Sequence, residues 1–322
     1  MPVIPAAFFA RLRFLLAGLT LALMATLAPT PAQAATCEAS MSDIAFGPVA
    51  LRAGSTNRSS GTLTITCSSS LVDVLVGVCV RFGPGDGGAA AGNAPRYLRN
   101  GAGGVVAYQL RRGGFGAGYG TLNTAYLTVP LLLGQGQVSI PIYGEVLGAS
   151  PGAPTGTYES LFSGTADISI STGVLSCDLL GTTRAVPDFR VSAEIVPSCE
   201  LSVGSLDFGR IRGLGLGPVD GTGAIDVRCT EGTGYSVSLG MGQGPAVSGP
   251  TQRQMRNGGS LLSYGLYRDA GYSLPWGDTA GSRASATGDG NTQRFTVYGR
   301  IHQGQDTRIG TYTDNVVVTV NY

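Results

Sequence analysis

The sequence predicts an all-β protein made of two tandem β-sandwiches, and three observations carry that prediction. Apolar and polar residues alternate along short runs, as in Val316, Val318 and Val320 against Val317, Thr319 and Asn321. Turn-forming clusters separate the runs: Gly83-Pro84-Gly85-Asp86-Gly87, Pro151-Gly152-Ala153-Pro154, Asn257-Gly258-Gly259 and Asp289-Gly290-Asn291. Period-2 alternation broken by such turns is the pattern of half-buried strands in a sandwich. One set of landmarks also occurs twice, which marks a tandem repeat.

Taken in order, the chain opens with the features of a secretory signal peptide over residues 1–34. Arg11 and Arg13 supply a positive end, Phe14 to Ala28 is mostly apolar, and Ala32-Gln33-Ala34 is a small-x-small cleavage site. The apolar stretch is short for a bilayer span, which takes roughly 20 residues. The first module follows over 35–177. Cys37 and Cys67 bracket Phe46-Gly47, with Gly61 before the run Thr62-Leu63-Thr64-Ile65-Thr66. Alternation returns over Gln137 to Val146 and Thr165 to Ser171.

Residues 178–198 join the modules. Between Pro187 and Pro197, Phe189, Val191, Ala193 and Ile195 alternate with Arg190, Ser192 and Glu194, a strand pattern inside a linker. The second module, 199–322, repeats the first. Cys199 and Cys229 bracket Phe208-Gly209, and Gly223 precedes Ala224-Ile225-Asp226-Val227-Arg228. The agreement continues as Arg96…Asn100-Gly101 with Arg253…Asn257-Gly258, Tyr108 with Tyr264, Tyr143-Gly144 with Tyr298-Gly299, and Gly156-Thr157-Tyr158 with Gly310-Thr311-Tyr312.

All 6 cysteines lie after the signal segment. An even count in an exported chain points to disulfides. The repeat assigns Cys37–Cys67 and Cys199–Cys229, which leaves Cys79 to pair with Cys177.

Composition argues against several functions. A net charge of +1, with 13% charged residues, marks no nucleic-acid or anionic-membrane partner. One histidine, His302, cannot build a soft-metal cluster, and no cofactor is expected. The letters G-x-S-x-G occur at Gly148 to Gly152, but prolines follow where a nucleophile elbow needs a helix. The letters G-x-G-x-x-G at Gly83 to Gly88 likewise precede no helix that could hold a phosphate. Asp289 and Asn291 read as a turn before a calcium site, and Trp276 as a packing residue. The chain reads as a non-enzyme.

The order Cys199, Phe208-Gly209, Cys229-Thr230, Tyr264-Gly265-Leu266-Tyr267, Trp276-Gly277, Val297-Tyr298-Gly299 and Gly310-Thr-Tyr-Thr-Asp314, ending in Val316 to Tyr322, resembles the spore coat protein U domain. That family includes subunits of archaic chaperone–usher pili. The first module resembles a diverged copy without the Trp-Gly and Cys-Thr pairs, and the two together are similar to a two-domain tip adhesin. The resemblance implies immunoglobulin-like sandwiches, the second lacking its final strand. It also implies partners: a periplasmic chaperone, an outer-membrane usher, and a donor strand from the adjacent subunit added by β-augmentation. Val316, Val318, Val320 and Tyr322 are then expected to pair with the chaperone or donor strand. Cleavage after Ala34 would leave Ala35-Thr36 as the only residues before Cys37, too few to donate, as in a terminal unit. Residues 188–196 resemble a donor segment placed to complete the first module in cis.

With six strands per module and a cis strand as the seventh, alternate loops of the first module share the end remote from the second. Those loops are apolar: Leu71 and Val72 in one; Phe115, Tyr119, Tyr126 and Leu131, Leu132 and Leu133 in a long second; Leu179 and Leu180 in the third. Clustered exposed apolar residues mark an interaction surface. The expected function is therefore attachment to an abiotic or host surface, with biofilm formation, by a subunit that passes through the periplasm to a pilus tip. A shaft or coat subunit and a secreted carbohydrate-binding protein are the competing readings.

Overall fold

The computed structural model describes residues 35–322 apart from 53, 72, 114–121, 149–151, 173–175, 178–181 and 216. The signal-peptide segment, 1–34, lies outside the described residues.

The first half contains β1 (Thr36–Met41), β2 (Ile44–Val49), β3 (Thr56–Ser68), β4 (Leu75–Phe82), β5 (Arg96–Arg99), β6 (Val105–Arg112), β7 (Thr124–Pro130), β8 (Gln135–Leu147), β9 (Gly156–Phe162), β10 (Ile168–Thr172), β11 (Thr182–Ala185) and β12 (Phe189–Ile195). They form an 8-stranded sheet, β1-β3-β8-β6-β5-β9-β12-β2, facing a 4-stranded sheet, β11-β10-β4-β7. The larger sheet begins on β1 and ends on β2, which are two halves of one stretch interrupted at Ser42-Asp43.

The linker strand decides this arrangement. β12 lies antiparallel to β9 and parallel to β2, so it fills the space between them. Phe189, Val191, Ala193 and Ile195 are each at most 2% exposed and belong to the first core. Phe189 stacks on Phe162 with ring centroids 4.5 Å apart. Burying Phe189, Val191 and Ile195 supplies about 1.5–3 kcal/mol apiece. Their sum is comparable to the whole net stability of a domain, about 5–15 kcal/mol.

The second half contains β13 (Cys199–Val203), β14 (Val219–Cys229), β15 (Gly234–Leu239), β16 (Arg253–Asn257), β17 (Ser260–Tyr267), β18 (Ala284–Thr287), β19 (Thr292–Ile301) and β20 (Val318–Asn321). A 5-stranded sheet, β13-β14-β19-β17-β16, faces a 3-stranded sheet, β18-β15-β20. Its core is separate from the first. Trp276, 1% exposed, donates from Nε1 to the Val237 carbonyl at 2.9 Å inside that core.

The repeated landmarks hold both sandwiches together in the same way. Cys37–Cys67 and Cys199–Cys229 link directly opposed residues of β1/β3 and β13/β14, and Cys79 joins Cys177. Arg96 and Arg253 are both 0% exposed. Arg96 donates to the carbonyls of Gly83, Phe82 and Leu122 at 2.7, 3.0 and 2.8 Å. Arg253 donates to those of Gly240, Leu239 and Trp276 at 2.9, 3.1 and 2.9 Å. Burial lowers Arg96 to about 10, so it stays charged at neutral pH. Each guanidinium is a fork of donors that satisfies carbonyls beyond the reach of water.

Residues 196–198 alone separate β12 from β13. Val196 N donates to Val49 O at 3.1 Å, and buried Ser198 lies 3.0 Å from the Thr230 hydroxyl. Arg52 Nη2 also donates to the Tyr322 hydroxyl at 3.3 Å. The second sandwich therefore attaches at the end of the first where β2 and β12 finish.

Candidate functional site

The repeat allows the two sandwiches to be compared position by position, and they differ where β12 sits. In the first, β12 lies between β9, which carries Gly156-Thr157-Tyr158, and β2, which carries Phe46-Gly47. In the second, Gly310-Thr311-Tyr312 and Phe208-Gly209 instead face each other across an open groove of about 970 Å³. Met255, Leu262 and Ile301 line it, with Leu206, Phe208 and Ile211 on one wall and Ile309 and Tyr312 on the other. Met255, Leu262 and Ile301 are 8, 4 and 0% exposed, and their counterparts Leu98, Val106 and Val146 are at most 1% exposed in the first sandwich, so the difference between the modules lies mainly in the groove walls. Around the groove Phe208 and Tyr312 are only partly buried, and Ile309 is fully exposed.

The walls are shaped for a strand. Gly47 and Gly209 both adopt a left-handed backbone, φ 66° and 70°. At Gly47 the β2–β12 register shifts between Ser192 and Glu194, so this glycine makes the bulge that lets β2 follow its neighbour. Gly209 holds the same left-handed backbone, with no strand paired beside it among the described residues. The aromatic before each glycine packs over another glycine. A Cβ on Gly144 would come within 2.7 Å of Phe46, and one on Gly299 within 2.8 Å of Phe208. On the far wall Thr313 exchanges both backbone hydrogen bonds with Arg256, at 2.9 and 3.1 Å, as Arg99 pairs with Glu159. Its other edge faces the groove. Tyr312 donates to the Arg308 carbonyl at 2.8 Å, as Tyr158 does to Pro154. Asp314 is fixed by Tyr264 Oη at 2.7 Å and by the Gln243 amide at 2.7 Å. Burial raises the Tyr264 pKa.

Of the residues expected to pair with a partner, Val318 and Val320 lie on β20, whose inner edge pairs with β15. In the first sandwich the matching strand β10 pairs on both edges, with β4 and β11. The outer edge of β20 carries no such neighbour among the described residues. Val316, Val318 and Val320 pack against the core, and Tyr322 is exposed. The pairing set read from the sequence covered one edge only. It missed Gly310 to Asp314 and the wall of Leu206, Phe208 and Ile211, although the repeated Phe-Gly and Gly-Thr-Tyr landmarks pointed there.

A second feature lies at the opposite end of the first sandwich from Ser198. Ser69 N donates to Gly134 O at 2.8 Å, which joins the β3–β4 loop to the β7–β8 hairpin. Leu71, Val74, Leu75, Leu132 and Leu133 are 76, 70, 59, 80 and 77% exposed there. Asp73 braces the loop by accepting the hydroxyls of Ser69 and Ser70, and these bonds lower its pKa. Leu132 and Gln135 close the hairpin, with Leu133 and Gly134 at φ 51° and 78°. Two positive-φ residues make the turn that normally takes Asn-Gly. A leucine there costs roughly 1–2 kcal/mol, and backbone strain of this kind collects at functional positions.

The remaining expectations are partly corrected. Leu131 is not on the surface: it is 9% exposed and packs in the first core, its amide bonded to Val74 O at 2.9 Å. The single long loop from Phe115 to Leu133 does not exist. β7 crosses the sandwich between its ends, with Tyr126 mid-strand opposite Cys79 and Leu122 at the far end of β7 from the hairpin. Val72, Phe115, Tyr119, Leu179 and Leu180 lie outside the described residues. Val74 and Leu75, at the entry to β4, were not among the residues read from the sequence.

No group of three or more potential metal-ligating side chains occurs among the described residues. His302 Nε2 lies 2.7 Å from the Thr251 carbonyl, and Asp289 accepts the Asn291 amide within a turn. Gly85 N donates to the Asp167 carboxylate, so the Gly83–Gly88 loop is committed to packing.

Taken together, the fold is that of a pair of immunoglobulin-like sandwiches, one completed by its own strand and one presenting a strand-shaped groove. The chain belongs to the spore coat protein U domain family, whose model matches residues 23–165 and 185–319. The second match takes in β12, so that strand precedes the second module in the family pattern and yet pairs within the first. Protein U of Myxococcus xanthus is 37% identical over 107 residues, 32% of this chain; the match spans 60% of that relative's length. The fold is similar to that in the crystal structure of the CsuC–CsuE chaperone–tip adhesion subunit pre-assembly complex from the archaic chaperone–usher Csu pili of Acinetobacter baumannii. That match has a TM-score of 0.51 at 16% identity and covers 88% of this chain and 100% of that one. The family and its structural relatives are non-enzymatic.

Proposed function

We propose that this protein is a subunit of an archaic chaperone–usher pilus and sits at its tip. The observation that carries the reading is the contrast between the two sandwiches: β12 occupies the first, and the matching space in the second is an open groove with the apolar side chains of Met255, Leu262 and Ile301 among its lining and polar residues such as Arg210 and Asp306 beside them. A sandwich with half-buried apolar walls and unpaired strand edges is suited to take a strand from elsewhere. A periplasmic chaperone would supply it before secretion through an outer-membrane usher, and the adjacent pilus subunit afterwards. Because the first sandwich takes its strand in cis, only the second would join the fibre. The far end of the first, with Leu71, Val74, Leu75, Leu132 and Leu133, would then point outward at the cell surface and attach to apolar abiotic or host material. Attachment through this end would support biofilm formation.

Immunogold labelling of assembled pili tests position: one label at each fibre end is expected, and labels along the shaft would make this a shaft subunit. Attachment tests the apolar end. Leu71→Ser with Leu132→Ser should abolish binding to a hydrophobic surface while leaving pilus number unchanged. Undiminished attachment would remove the adhesive role.

A further inference from the structure

The filled groove of the first sandwich is a template for the strand that fits the second. β12 places Phe189 opposite Phe162, Val191 opposite Ser160, Ala193 opposite Tyr158 and Ile195 opposite Gly156. Through the Gly-Thr-Tyr landmark these positions become Val316, Asp314, Tyr312 and Gly310. Val316, Asp314 and Tyr312 are partly buried, and they alternate with exposed Thr311, Thr313, Asn315 and Val317, so the inward face is kept. Tyr158 and Tyr312 make the same hydroxyl-to-carbonyl bond four residues back, at 2.8 Å in each case. The ring therefore occupies equivalent space, and the residue opposite it has to be small. On the outward face Glu194 pairs in register with Thr157 and with Pro48, which follows Phe46-Gly47. After Phe208-Gly209 the corresponding residue is Arg210, an exposed side chain on the groove wall.

From this template we infer that the second groove selects a β-strand of defined pattern and direction. It runs antiparallel to residues 310–316 and carries large apolar, apolar, small and apolar residues at alternate positions. An acidic residue follows the small one, opposite Arg210. The inference rests on the reading of the groove as a strand acceptor and specifies which strand it takes. Cross-strand pairs and pocket volumes set such a preference.

The probe is a synthetic peptide with this chain's own 187–197 sequence, Pro-Asp-Phe-Arg-Val-Ser-Ala-Glu-Ile-Val-Pro, titrated against the full chain. Binding is expected, with protection of 310–316 from amide exchange. A peptide with leucine at the alanine position should bind at least about tenfold more weakly, the scale of overpacking one site. Tyr312→Ala should restore binding of that peptide. A peptide with lysine at the glutamate position should also bind more weakly, and Arg210→Glu should reverse that preference. If the leucine and lysine peptides bind as well as the original, the groove accepts any alternating strand: the pattern is refuted and the acceptor reading survives. If no alternating peptide binds while the chain is folded, as reported by a buried Trp276, both fail.

Discussion

Replacing Phe189 and Ile195 together by alanine should collapse the first sandwich and leave the second standing. Both side chains are about 1% exposed and sit at opposite ends of β12, one stacked on Phe162 and the other in register with Gly156 and Val49. Buried Phe→Ala costs about 3–5 kcal/mol and Ile→Ala about 2–5. Sites this far apart, with no shared partner, add. The sum, about 5–10 kcal/mol, equals most or all of the net stability of an ordinary domain. The chain contains 1 tryptophan, Trp276, buried in the second core, so its fluorescence follows that sandwich alone. Guanidinium titration of the whole chain should leave the Trp276 transition within error of the parent. Amide exchange in β9 should lose nearly all its protection. Undiminished protection of β9 would refute the reasoning, and so would a Trp276 transition that moved in step with it.

Other consequences can be measured separately. Leu133→Asn should raise stability by about 1 kcal/mol in thermal melts, because asparagine tolerates the left-handed turn better, while reducing attachment to hydrophobic surfaces. Leu131→Ala should instead cost about 2–5 kcal/mol, as expected of a core leucine. The Asp73 carboxylate is stabilised by two serine hydroxyls, so its folded pKa lies below the unfolded value of about 3.9. Its contribution is complete above that value and is lost as pH falls through the folded pKa. NMR of the 69–73 loop should therefore stay unchanged from neutrality down to about pH 4 and shift below it, and Asp73→Asn should remove the transition. Arg253→Lys should lower stability by at least about 3 kcal/mol in denaturant titration, since one ammonium cannot replace a fork donating to the separate carbonyls of Gly240, Leu239 and Trp276.

Much of this architecture is local in cause and could be read from the chain. Alternation located the strands, the repeat located two of the three disulfides, and elimination the third. The landmark motifs have physical reasons visible only in three dimensions. Gly144 and Gly299 make room for Phe46 and Phe208, and Arg96 and Arg253 answer carbonyls of distant loops. Alternation in residues 189–195 showed a strand but not its neighbours, because a parallel contact with β2 leaves no mark in either segment alone. Leu131, Leu132 and Leu133 are chemically identical neighbours with different fates. The hairpin turns over at Leu133, so one leucine stays with β7 in the core while two face solvent. Hydrophobicity cannot separate them; the two-residue turn does. The division of the long apolar loop by β7 depended on its pairing with β4, a contact set by tertiary structure. The repeated Phe-Gly and Gly-Thr-Tyr landmarks marked the groove walls, but that a strand is missing between them was legible only through family resemblance, since an open strand site is a property of two distant segments that fail to meet.

Hydrogen–deuterium exchange on the free full-length chain tests the central claim most directly, by comparing Gly156–Phe162 with Gly310–Val316. Slow exchange in the first segment and fast exchange in the second, slowed when the 187–197 peptide is added, is the predicted result. Equally slow exchange in both segments of the unliganded protein would mean that the second sandwich is already complete, and would contradict the account.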